Sequence, residues 1–129
     1  PRRFARALVR EAVVDLLHGP SSHHVKGIEF LDGRLALYGC GDFLNDYEGI
    51  GGHEQYRDDL TFMYLPTLEP DGRLAALRLV PLQIHRFRLR HAGAEDAAWL
   101  KGVIDREGRP FGTALVRRDD GSFELQWER

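Results

Sequence analysis

Three histidines, His18, His23 and His24, fall within the stretch HGPSSHHVKG, around Gly19-Pro20 and the hydroxyls of Ser21 and Ser22. Neutral imidazole binds transition metals such as Zn, Mn or Fe, so the first chemistry to consider is metal ligation. Four residues separate His18 from His23, and His24 follows at once, a spacing that fits no common structural zinc pattern. The plainer reading is a loop at a strand end that happens to be rich in histidine. A second group, Asp42, Asn45, Asp46 and Glu48, sets oxygen atoms among glycines and could meet a hard cation. It lacks the rhythm of an EF-hand, and a solvated loop with Asx turns accounts for it more simply.

Other residues carry weaker signals. His53, Glu54, Tyr56, Arg57, Asp58 and Asp59 include acid–base capacity, but the sequence pairs none of them with a partner. Cys40 stands between two glycines with no assigned base, which reads as a small buried residue rather than a nucleophile. Ser21 and Ser22 lack the strand-turn-helix setting of a nucleophile elbow. Arg86, Arg88 and Arg90 alternate with Phe87 and Leu89. They could meet phosphate or an anionic polymer, or form the wet side of a half-buried strand.

The elements that must position these residues follow from periodicity. Phe4, Leu8 and Ala12 recur every four residues and predict a helix at the start, with arginines on its other faces. The apolar run Val13 to Leu17 predicts a short buried strand, which would deliver the histidine loop at its carboxyl end, where α/β proteins tend to place chemistry. Asp32-Gly33, Pro70-Asp71-Gly72 and Asp120-Gly121 mark three hairpins, because Asp-Gly suits the positive φ of tight turns. Leu74 to Arg90 reads as one long strand that changes phase, with a bulge or bend expected near His85-Arg86. Pro81 cannot donate to a ladder, so an edge or an irregularity is expected there. Residues 93–108 predict a second helix, with Gly93 as N-cap, Glu95 and Asp96 in the first turn, and Leu100, Val103 and Ile104 as its stripe. Gly108 is the expected C′ residue and Pro110 the stop. Residues 39–59 show little periodicity, apart from a helical hint at His53 to Arg57, and a long loop of that kind is usually functional or disordered.

Length and composition bound the answer. The chain has 129 residues, 43% of them hydrophobic and 29% charged, which suits a single soluble α+β domain with a sizeable core. A net charge of −2 gives no global field favouring nucleic acid. No apolar run reaches the roughly 20 residues of a membrane span. One cysteine excludes an internal disulfide framework. The start inside a helical pattern is compatible with a piece of a longer protein.

The ordered set HGPSSHHVKGIEF and GRLALYGCGDFLNDYEGI, continued by YRDDLTFMYLPTLEPDGRLAALRLVPLQIHRFRL and DAAWLKGVIDREGRPFGT, resembles the C-terminal part of the CapA family of bacterial capsule and poly-gamma-glutamate synthesis. The resemblance covers nearly all of the chain. It implies that the mainly antiparallel sheet of three hairpins with two helices, read above from turns and periodicity, is the C-terminal part of a calcineurin-like four-layer metallophosphatase fold. It also implies a two-metal site. His23 and His24 match the family's histidine loop, and Ser21, Ser22, Asp42, Asn45 and Asp46 would form the wall. Pro20 stands where the family carries a histidine, so one contact is gone. The upstream Asp-x-His, Gly-Asp and Gly-Asn-His motifs of the wider superfamily are not in these residues. A divalent metal (Mn, Zn or Fe) would therefore meet an incomplete ligand set.

Three readings follow. In the first, residues 1–129 are a single domain or a C-terminal segment, contributing to a metal-dependent phosphoesterase-like site in a larger bacterial protein. Its partners would be an upstream segment or a copy of itself, and its substrate a phosphate ester or anionic polymer. In the second, the chain is a non-catalytic binding or structural module that self-associates. The third, a stand-alone enzyme using the acidic loop and His53, has no nucleophile–base pair to support it.

Overall fold

A computed structural model describes residues 2–11, 14–19, 24–43 and 57–128. Among these residues, two helices and eight strands follow in the order α1 (Arg2–Glu11), β1 (Leu16–His18), β2 (Ile28–Leu31), β3 (Arg34–Leu37), β4 (Leu60–Leu68), β5 (Leu74–His85), β6 (Arg88–His91), α2 (Ala94–Gly108), β7 (Thr113–Arg117) and β8 (Phe123–Trp127). The architecture is α+β and mostly antiparallel, as expected. The strands form two sheets, one ordered β1-β3-β2 and one ordered β4-β5-β8-β7, with β6 also on β5.

The three Asp-Gly hairpins are present. Asp32 and Gly33 both take positive φ, at 51° and 81°, which joins β2 to β3 in a two-residue turn. Gly72 (φ 88°) and Gly121 (φ 86°) serve the turns between β4 and β5 and between β7 and β8.

Alternation places Ile28, Leu35 and Leu37 on the inner face of the smaller sheet and Leu60, Phe62, Leu77, Leu79, Phe123 and Leu125 on that of the larger. Leu100, Val103 and Ile104 of α2 join the same core. The other face of the smaller sheet, with Leu31 and Ala36, packs against α1.

Four expectations need correction. The buried stripe of α1 is Ala5 and Val9, while Phe4 is 68% exposed. Small residues let the helix sit close on the sheet, and arginines beside them reach over to Glu29. The first strand covers only Leu16–His18, is not fully buried, and pairs parallel to β3. The long strand ends at His85, and the chain turns back through Arg86 and Phe87, which have φ of 50° and 62°. What reads as a bulge is a fourth hairpin, without the Asn or Gly that would announce it. Finally, Gly108 closes α2 in a right-handed conformation and a 3-10 turn over Arg109–Phe111 follows, so the left-handed residue is Gly112 (φ 71°). Proline at the start of a 3-10 turn loses no bond, which is why Pro110 does not stop the chain at once.

The irregularity expected at Pro81 has a clear place. Its carbonyl accepts from the Ala92 amide at 3.0 Å, so its missing N–H faces the same side. On that side β5 changes partner, from β8 at Arg78 and Leu79 to β6 at Leu82–His85. The proline falls in the gap between two neighbours.

Candidate functional site

Strands β1 and β3 are parallel, so their carboxyl ends lie together: His18 is opposite Leu37. The histidine loop leaves one and the Gly-Cys-Gly-Asp stretch leaves the other. Gly19 donates its N–H to the Leu37 carbonyl at 2.7 Å, and a Cβ on Gly19 would lie 2.7 Å from the Tyr38 carbonyl oxygen. Only glycine allows that approach. The two stretches then meet again: Val25 bridges Cys40, and the Lys26 amide donates to the Gly39 carbonyl at 2.9 Å. His24 and Asp42, adjacent to that bridge, belong to the same end of the sheet.

The second sheet holds this end in place. Thr61 donates its hydroxyl to the Cys40 carbonyl at 2.7 Å. Gly41 has φ of 75°, and a Cβ there would lie 2.7 Å from the Thr61 oxygen. The Cys40–Asp42 turn is thus fastened onto β4 by one hydroxyl and one absent side chain.

Beside it lies a cavity of about 490 Å³, with Leu16 and His18 on one side, Phe43 at the loop, and Phe62, Tyr64 and Pro66 on β4. Its walls are mainly apolar. The Tyr64 hydroxyl is fully buried and has no hydrogen-bond partner among the described residues. Burial first, with a smaller push from Cys40, raises that phenol well above its ordinary value. Burial likewise lifts the Cys40 thiol to about 11. A thiol protonated at neutral pH is a poor nucleophile, which agrees with the reading from sequence.

Of the residues predicted for the site, His24 and Asp42 stand at this end, while Ser21, Ser22, His23, Asn45 and Asp46 lie outside the described residues, as do Pro20, Glu48, His53, Glu54 and Tyr56. His18 is exposed at the tip of β1. Among the described residues no three His, Cys, Asp or Glu side chains stand close enough to hold a metal ion.

Asp59, grouped with His53 on sequence, is a structural anchor. It accepts from Arg57 Nε and Nη2 at 3.0 and 3.1 Å and from Gln83 at 2.9 Å. Arg57 also reaches Asp96 at 3.1 Å, tying β4 to the start of α2. Sequence reading missed Glu29 altogether. It is 4% exposed on the α1 side of β2, and accepts from Arg2 at 3.1 and 3.3 Å and from Tyr38 at 2.6 Å. A lone glutamate between isoleucine and phenylalanine in a strand was the available signal.

A family model described as bacterial capsule synthesis protein PGA_cap matches residues 1–47. That stretch holds α1, β1 to β3 and the loop at their ends. Across 123 residues, 95% of its length, the chain is 45% identical to a "probable polyglutamine synthesis accessory protein" of Mycobacterium tuberculosis, in both strain CDC 1551 / Oshkosh and strain H37Rv. The chain is similar to the CapA family. It spans 32% of the length of each of these relatives. The CapA resemblance read from the histidine loop and the Gly-Cys-Gly-Asp stretch therefore holds across both sheets.

Proposed function

We propose that this CapA-like chain serves capsule or polyglutamate synthesis in an accessory role, and that it contributes one end of a phosphoesterase-like site. The observation that carries the second part is the meeting of the histidine loop with the Gly-Cys-Gly-Asp stretch at the carboxyl ends of β1 and β3. Carboxyl ends of parallel strands are where α/β folds gather ligands. The stack of α1 on one sheet, facing a second sheet, is in keeping with part of a calcineurin-like layered fold.

A metal fits this end only in part. His24 and Asp42 offer a nitrogen and oxygens, but the described donors do not make a closed set. The reading requires further donors, His23 first, so no step of chemistry is routed through a metal here. When bound, such a metal would polarise a phosphoryl oxygen. The test is elemental analysis after Mn and Zn loading, beside His23→Ala and His24→Ala. Stoichiometric metal, lost in either variant, is the expected result. No metal above the variants sinks the site.

The outer face of the larger sheet favours the second reading, a self-associating module. Met63, Leu65 and Val116 stand there 36%, 41% and 41% exposed, and among the described residues β4 lies at the sheet edge. Exposed apolar side chains beside an open edge invite pairing with another copy.

A further inference from the structure

The β5–β6 hairpin ends in a strained turn. Its two-residue turn, Arg86 and Phe87, holds both residues at positive φ, a conformation that L side chains adopt at a cost. The result is a phenyl ring carried outward at the tip, 62% exposed. Every residue from Arg86 to His91 is exposed. Pairing with β5 sets Arg88 opposite His85 and Arg90 opposite Gln83 on one face, and Leu89, 39% exposed, opposite Ile84 on the other. Arg90 donates at 3.1 and 2.8 Å to the neutral amide oxygen of Gln83 rather than to a carboxylate. From His85 to Ala94 there are three arginines, two histidines and no acid, in a chain whose net charge is −2. Three arginines thus flank two exposed apolar side chains.

We infer that this hairpin is a contact site for an anionic phospholipid surface, with Phe87 entering the headgroup boundary and Arg88 and Arg90 meeting phosphate and carboxylate groups. Aromatic rings are favoured at membrane interfaces, and basic residues near them gain from the negative surface. A soluble polyanion would use the arginines but would gain little from a phenyl ring held out on a costly turn. The inference goes beyond the proposed function and stands whether or not the neighbouring loops hold a metal.

The test is co-sedimentation of the chain with phosphatidylcholine vesicles, with and without phosphatidylserine. The variants are Phe87→Asn, which keeps a residue tolerant of the left-handed turn, and Arg88→Gln. The expected result is preferential binding to the phosphatidylserine vesicles, weakened by added salt. Phe87→Asn should lower it about tenfold, and Arg88→Gln about fivefold. Equal binding to both vesicle types, or unchanged binding by Phe87→Asn, overturns the inference. So does binding to soluble poly-gamma-glutamate that depends on Arg88 but not on Phe87, which would assign the surface to a polymer.

Discussion

Glu29 shows how one side chain can hold an element. Burial works to raise its carboxyl pKa, but the bonds from Arg2 and Tyr38 outweigh that and bring it below the ordinary value. A depressed carboxylate adds stability that is present above the unfolded-state pKa and lost as pH falls through the folded one. Glu29→Gln should therefore cost about 1–2 kcal/mol at neutral pH, and the difference from the parent should shrink as pH falls into the acidic carboxylate range. Urea unfolding across that range checks both claims. Tyr64 predicts the opposite sign. Its hydroxyl has no partner among the described residues, so Tyr64→Phe should leave stability unchanged or raise it by about 1 kcal/mol in the same assay. Cys40 was legible from sequence because a small residue between glycines rarely does chemistry. Glu29 was not, since its partners come from a helix and from Tyr38 on the neighbouring chain segment, and nothing local names them.

At the scale of elements, what could be read was what is written locally. Asp-Gly pairs specify their own φ angles, so three hairpins were visible. The fourth was not, because Arg86 and Phe87 are held in a turn that the pairing of β5 with β6 imposes from both sides. Replacing them by Asn-Gly should stabilise the fold by about 1 kcal/mol or more, measured as a rise in urea midpoint, by removing two left-handed L residues. The face of α1 was misread for a related reason. Phe4 makes a good stripe on paper, but close packing on a sheet selected Ala5 and Val9. Gly41 carries the converse lesson, that an absent side chain can be a fastening. Gly41→Ala sets a methyl against Thr61 at a positive φ and should cost more than about 1 kcal/mol, again by urea unfolding.

For the whole molecule, periodicity indicated antiparallel sheet but not how the sheets divide. The parallel contact of β1 with β3 joins segments about twenty residues apart, and no local pattern encodes it. That contact brings the two candidate loops together, so the fold's most informative pairing was also its least legible. The outer sheet face makes a prediction of its own. If it receives a second copy, sedimentation over a concentration series should show mass rising from 14.7 kDa toward twice that value, and Leu65→Lys should abolish the rise.

Strand β5 has a consequence for motion. It is bonded to β4 along its length and to β8 and β6 on its other side. Freeing both of its edges requires three neighbours to let go, whereas among the described residues β1 and β6 each rest on a single partner strand. In deuterated water the amides of Leu77 to Leu82, apart from the proline, should therefore trade their hydrogens last, close to the rate of global unfolding, and those of β1 first. Strand β1 would then breathe on a faster clock than the larger sheet.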